Sequence, residues 1–324
     1  MITKLLQNIS HLNYSIIPTP IMKLENLSKK YNANIYCMRD DLSGFAFGGN
    51  KTRKLDYLVY DAIQQGTDTL LAVGANQSNF CRITAAYGAA NGLGVQLLLS
   101  GEQEESPTAN LYLDHLFNAT ITHTDAFENS QVEEKSLQLE TELTKQGKKV
   151  YRMPLGGSTP LGTLGYLSAF DEILNFSKKN NLNFNSIFHA SGSGGTQAGL
   201  VLGKMISKWQ GDIIGISVGR SATELHSVVD NLAKETANLL NFTPNEIEFI
   251  VDESYIGEKY GAHTQAGSKA IKEFATHEGI LLDNVYTGKA AAGLLDYIQK
   301  GKVDKSDNIL LIHTGGNIEL FEHS

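Results

Sequence analysis

The amino-acid sequence predicts an α/β protein of two three-layered lobes, each built on a mostly parallel, twisted sheet. Three observations predict it. Short β-rich runs alternate with longer segments of helical period, the pattern of parallel strands covered by helices on both faces. At 324 residues, the chain exceeds the roughly 250–300 residues that one hydrophobic core usually organises. Glycine-rich clusters stand where one kind of run meets the next, and α/β proteins place ligands at such junctions.

The strands expected are Ile35–Arg39, Thr69–Gly74, Val95–Ser100, Val150–Met153, Ile187–Ala190, Ile213–Val218 and Asn308–His313. Between them lie amphipathic stretches such as Leu55–Gln64, Ser130–Gln146, Leu164–Ser177, Gln197–Lys208 and Ala290–Gln299. In the first of these, Leu55, Leu58, Val59 and Ala62 recur at i, i+3, i+4 and i+7, which is one helical face. No internal repeat, low-complexity tract or proline-rich linker interrupts the chain. Composition therefore marks no domain boundary.

A hydrophobic share of 41% with 19% charged residues is ordinary for a soluble globular protein. Apolar runs break well before the ~18 residues of a membrane span, and Met1–Ser10 does not read as a secretory signal. The net charge is −8, without a basic tract, so nucleic acid is not an expected partner. Cys37 and Cys81 have neither metal spacing nor the numbers for a disulfide framework, which suits a reducing, cytoplasmic setting. His189, His263, His277 and His313 share no metal spacing either. They read as structural or surface residues, and no metal site is expected.

Chemistry concentrates in the glycine clusters. Ser191-Gly192-Ser193-Gly194-Gly195-Thr196 follows a strand and opens a helix near Gln197. Such a turn offers backbone N–H groups and the positive end of a helix dipole to an anion, with Ser193 and Thr196 adding hydroxyls. A turn for tight strand-to-helix packing is the plainer alternative. A dinucleotide fingerprint is disfavoured, since Gln197 stands at its third glycine and the next strand ends in Gly219-Arg220 rather than an acidic residue.

Lys51 follows Gly48-Gly49-Asn50 and precedes the helix at Leu55. A lone lysine there is more often a solvated charge, and Arg53 and Lys54 are expected to face solvent or structural partners. Glycines that let a ligand approach, together with a nearby helix N-terminus, distinguish Lys51. The helix N-terminus favours the depressed proton affinity that a carbonyl-reacting amine needs. Gly74-Ala75-Asn76-Gln77-Ser78-Asn79 joins a strand to a helix near Phe80, a turn able to hold a carboxylate or simply to cap the helix. Cys81 reads as a small helix-borne hydrophobe.

These residues carry a resemblance. Gly48-Gly49-Asn50-Lys51-Thr52-Arg53-Lys54-Leu55 with Gln77-Ser78-Asn79 resembles the D-cysteine desulfhydrase and 1-aminocyclopropane-1-carboxylate deaminase family. These are fold-type-II pyridoxal-phosphate enzymes related to the tryptophan synthase β-subunit. The resemblance continues through Gly156–Gly162, Gly195–Gly199, Tyr260-Gly261, Glu278–Asp283, Val285–Ala290 and His313–Gly316. It implies pyridoxal 5′-phosphate as cofactor, a small amino acid as substrate and a homodimer. Residues 1–51 with 166–324 would form the large cofactor-binding lobe, and 52–165 the small substrate-side lobe.

Residue by residue, the resemblance implies that Lys51 carries the cofactor and shuttles protons, and that Asn79 meets the ring hydroxyl. It has Ser193, Gly194, Gly195 and Thr196 holding the phosphate, and Thr314 facing the pyridine nitrogen. Gln77, Ser78 and Asn79 would bind substrate. Ser78, Tyr260 and Tyr286 would serve catalysis, Tyr286 also touching the cofactor.

Thr287 bears on the reaction. Ring-opening deaminases have a glutamate there, whose charge keeps the pyridine nitrogen protonated; Thr287 is neutral. This resembles the desulfhydrase branch, which converts D-cysteine to pyruvate, ammonia and hydrogen sulfide. L-cysteate sulfo-lyase, ring-opening deaminase and a catalytically silent cofactor-binding protein are the alternatives. Phe80, Cys81 and Asn317-Ile318 depart from the family pattern, and Phe80 is expected to reshape the substrate pocket.

Overall fold

The computed structural model describes residues 1–244 and 248–322. Its strands are β1 (Ile21–Lys23), β2 (Asn34–Arg39), β3 (Thr69–Ala75), β4 (Gly94–Ser100), β5 (Thr120–Thr124), β6 (Val150–Met153), β7 (Ser186–Ser191), β8 (Asp212–Ser217), β9 (Ile250–Asp252) and β10 (Asn308–His313). They form a six-stranded sheet in the order β1-β2-β10-β7-β8-β9 and a four-stranded sheet in the order β5-β4-β3-β6. Every pairing is parallel except β1 with β2.

Alternation along β10 shows how the large sheet is covered. Leu310 and Ile312 enter the core under the helices Pro160–Asn180, Gly195–Ser207 and Ala222–Leu239. Ile309 and Leu311 point the other way, under Gln265–Glu278 and Thr287–Gln299. A strand buried on both faces loses the apolar–polar alternation and reads as a continuous apolar run. In the small sheet, Leu70, Ala72, Leu97 and Leu99 pack beneath Asn50–Gln64 and Asn79–Asn91. The face predicted for the first helix, Leu55, Leu58, Val59 and Ala62, lies in this core.

All seven expected strands are present. The strands not foreseen are edges: β1 and β9 have three residues each, and β5 is Thr-Ile-Thr-His-Thr with no fully buried position. Edge strands are short and polar because they carry unpaired backbone, so hydropathy does not reveal them. The lobe boundaries implied by the resemblance fall within the helices Asn50–Gln64 and Pro160–Asn180. Among the described residues, no helix is long and apolar enough to cross a membrane.

Pro160–Asn180 lies hard against Gly195–Ser207. A Cβ at Gly199 would fall 2.6 Å from Tyr166 Cβ and 2.7 Å from the Thr163 carbonyl. Overpacking such a crossing costs about 1–3 kcal/mol. Gly199→Val is therefore expected to lower the free energy of unfolding by about that much in a denaturant titration.

Candidate active site

The carboxyl ends of β3, β7, β8 and β10 open onto one cleft of about 880 Å³ between the two sheets. This is the edge at which parallel α/β sheets bind ligands. Lys51, Ser78, Asn79, Ser193, Gly194, Thr196, Tyr260, Tyr286 and Thr314 all line it.

Lys51 stands in a helix rather than in a preceding loop, because the helix begins at Asn50, earlier than expected. Gly49 makes this possible: its φ is +107°, and a Cβ there would sit 2.9 Å from the Thr314 carbonyl. That carbonyl instead accepts the Asn50 N–H at 2.9 Å. The first helical turn is thus pinned directly to the end of β10. Burial pulls the Lys51 amine down to about 8, with Cys81 opposing weakly.

Arg53 and Lys54 do not face solvent; both are buried. Lys54 has no carboxylate partner among the described residues. Its Nζ donates to the Gly156 carbonyl at 3.2 Å and to Ser158 Oγ at 3.3 Å. Burial, reinforced by Lys51, lowers its proton affinity. A Cβ at Gly195 would lie 2.6 Å from this nitrogen and 2.8 Å from Ser158 Oγ. The Lys54 nitrogen therefore sits directly under the N-terminus of the helix Gly195–Ser207.

Ser158 Oγ also accepts the Gly195 N–H at 3.2 Å and donates to Ser193 Oγ at 2.8 Å. Asn50 Nδ2 reaches Thr196 Oγ1 at 3.0 Å. Converging N–H, ammonium and hydroxyl donors suit a phosphate. Sequence reasoning missed Lys54, Asn50 and Ser158 here. The signal for Lys54 was spacing, since i and i+3 share a helix face.

Ser78 caps the helix Asn79–Asn91, its Oγ accepting the Cys81 N–H at 3.2 Å, while also lining the cleft. Asn79 is held from behind, its Oδ1 accepting from Arg82 Nη1 at 2.8 Å. The structure does not bring Gln77 to the cleft. Its amide accepts the Asn110 N–H at 2.9 Å and donates to the Thr108 carbonyl at 3.2 Å. Gly195 is buried behind Ser158. Phe80 touches the cleft, but its ring packs into the core against Leu58 and Gly157. Cys81 is fully buried, and desolvation pushes its thiol up, away from reactivity.

The Tyr260 and Tyr286 hydroxyls hydrogen-bond to one another. Desolvation raises both, Tyr286 far more, with Asp283 adding to the rise. Thr287 is buried away from the cleft, its Oγ1 donating to Asp283 Oδ2 at 2.6 Å. Thr314 supplies a neutral hydroxyl to the cleft instead. Of the histidines, His189 and His313 are buried, and burial lowers His189 to about 4. No cluster of three or more His, Cys, Asp or Glu could hold a metal among the described residues.

Residues 12–315 match the family of pyridoxal-phosphate dependent enzymes. The chain belongs to that family. Its cofactor is pyridoxal 5′-phosphate, which the cleft's donor set fits.

D-cysteine desulfhydrase of Yersinia enterocolitica is 40% identical over 311 residues, 94% of this chain and 93% of that protein. A Pyrococcus horikoshii protein that carries the provisional name 1-aminocyclopropane-1-carboxylate deaminase is 41% identical over 298 residues, 92% of this chain and 89% of that protein. The crystal structure of an ACC deaminase homologue superposes with a TM-score of 0.91 at 39% identity, covering 99% of this chain and 96% of that one. Threonine deaminase isoform 2 of Solanum lycopersicum shares the fold, with a TM-score of 0.71 at 18% identity over 98% of this chain and 84% of that one.

A charge-assisted bond is worth roughly 1.5–3 kcal/mol. Lys54→Met should therefore weaken pyridoxal 5′-phosphate binding about ten- to a hundred-fold in a fluorescence titration. Binding of unphosphorylated pyridoxal should hardly change.

Proposed function

We propose that this enzyme eliminates a β-substituent from a small amino acid, with D-cysteine as substrate and pyruvate, ammonia and hydrogen sulfide as products. Relatives named for D-cysteine and for the cyclopropane amino acid stand at nearly equal identity, so the choice rests on the cleft. The observation that carries it is where charge lies. The carboxylates lining the cleft, Glu128, Glu133 and Glu224, belong to the segments 127–133 and 218–228. The turns bearing Lys51 and Thr314 contribute none. A neutral Thr314 opposite the pyridine nitrogen leaves the ring unprotonated there, which suits expulsion of a good leaving group better than opening a strained carbon ring.

The phosphate would rest on Ser193, Gly194 and Thr196 with Lys54 and Asn50, the ring hydroxyl on Asn79 and the ring nitrogen on Thr314. When bound, the cofactor withdraws electrons from the carbon bearing the substrate's amino group. Ser78 and the backbone opening the helix Asn79–Asn91 would hold the substrate carboxylate. Gln77 supports that turn from behind, through Asn110. The Lys51 amine would take the proton from the α-carbon, and the Tyr260–Tyr286 pair would hand one to the departing sulfur. A homodimer in the cytoplasm completes the reading, and sedimentation equilibrium checks the assembly.

The neutral amine is the nucleophile, and its fraction grows as pH rises. Coupling of cofactor to Lys51 should therefore accelerate with pH and reach half its limit near about 8, followed by absorbance. Lys51→Ala should abolish the covalently held, yellow species. A keto-acid assay over D-cysteine, L-cysteine, L-cysteate, β-chloro-D-alanine and 1-aminocyclopropane-1-carboxylate decides the substrate. Pyruvate from D-cysteine is expected; 2-oxobutyrate from the cyclopropane substrate alone would overturn the reading of Thr314 and Thr287.

A further inference from the structure

Arg53 is a buried charge that the chemistry above does not use. Its guanidinium reaches Asp40 through Nε at 3.0 Å and Nη2 at 2.9 Å. The same group reaches Glu172 through Nη1 at 2.6 Å and Nη2 at 2.9 Å. Asp40 follows the end of β2, and Glu172 lies on Pro160–Asn180, so both belong with the large sheet. Arg53 itself rides on Asn50–Gln64, whose apolar face packs on the small sheet.

The Asp40 carboxylate also accepts from Thr19 Oγ1 at 2.8 Å and from the Tyr166 hydroxyl at 2.5 Å. Gly165 lets the long helix press on this residue, since a Cβ there would lie 2.5 Å from the Arg53 carbonyl oxygen.

Asp40 holds the chain on both sides of Lys51. Its backbone carbonyl accepts the Gly49 N–H at 2.9 Å, two residues before the lysine, and its carboxylate holds Arg53, two residues after it. We propose that Arg53 is a positioning residue, clamped by Asp40 and Glu172 so that the Lys51 amine is fixed at the bottom of the cleft. The inference rests on the reading that Lys51 is the working amine.

A buried ionic network is weak support for stability, because desolvation offsets most of the attraction. What it supplies is geometry. The planar fork of an arginine fixes distance and angle to two carboxylates at once, as a lysine does not. Tyr57 and Tyr166 are the other titratable groups beside the guanidinium. Those beside the Lys51 amine are Lys54 and Cys81.

The test uses the full-length chain freed of cofactor. Acylation of Lys51 by a small amine-reactive ester is followed against pH by peptide mass spectrometry, alongside the melting temperature. The unaltered protein should show a midpoint near about 8. In Arg53→Lys and Glu172→Gln the amine should move into water, so the midpoint should rise by on the order of one unit, tenfold less neutral amine at a given pH below it. Ile206→Ala, a core change outside the clamp, should lower the melting temperature without moving the midpoint. Melting that falls in the clamp variants with an unmoved midpoint overturns the proposal. If Arg53→Lys does not fold, Glu172→Gln decides alone, because it leaves Asp40 in place. Failure of the unaltered protein to couple pyridoxal 5′-phosphate would sink the functional reading and leave the clamp standing.

Discussion

Two neighbouring lysine nitrogens, Lys51 lining the cleft and Lys54 buried beside it, with no carboxylate paired to either among the described residues, are the constraint on which the rest of this structure depends. Lys54 is wholly buried among a carbonyl, a serine hydroxyl and the amino end of a helix. An unpaired ammonium in such a place is strongly disfavoured. Lys51 nearby makes protonation harder still, and the dipole of Gly195–Ser207 adds positive potential. A dianionic phosphate, as proposed above, would resolve all three at once. The glycines of the cradle follow from that need, since side chains there would occupy the space between cation, helix end and ligand.

Parallel sheets explain why these groups meet. Each strand delivers its following turn to the same edge, so the turns after β3, β7, β8 and β10 converge although they are far apart in sequence. Close backbone contacts then hold neighbouring turns together. A Cβ at Gly315 would lie 2.7 Å from Gly49 Cα, so the turn after β10 and the turn before Lys51 touch without an intervening side chain.

The buried strands were legible in the sequence because burial on both faces leaves a continuous apolar run, and β7 is buried at all six positions. The glycine clusters were legible because few other residues tolerate such turns. Two kinds of feature were not. Lys54 and Arg53 read as charges facing solvent or structural partners, and which of the two holds was not legible, since burial of a cation depends on partners more than a hundred residues away: Gly156 and Ser158 for one, Glu172 for the other. Gln77 sits in a motif beside Ser78 and Asn79, yet turns from the cleft because the segment 108–110 offers it both a donor and an acceptor. Sequence order records which residues are neighbours; it does not record which way each side chain leaves the turn.

The division of proton transfer follows from how the fold moves groups apart in proton affinity. Burial lowers the Lys51 amine to about 8, so a substantial neutral fraction exists near neutral pH and the nitrogen can accept a proton. The tyrosines are displaced the other way, by desolvation and by Asp283 and Glu319; their mutual hydrogen bond raises Tyr286 further and partly offsets the rise at Tyr260. Asp283 is itself fixed, its Oδ1 accepting the Val285 N–H at 2.8 Å and its Oδ2 the Thr287 N–H at 2.9 Å. Its charge therefore stays close to Tyr286, and the phenols remain protonated throughout the working range. Groups pushed apart in this manner take opposite roles. On the reading proposed above, the lysine would serve as the base and the hydroxyl pair as the donor, each displaced by the fold in the direction its role requires.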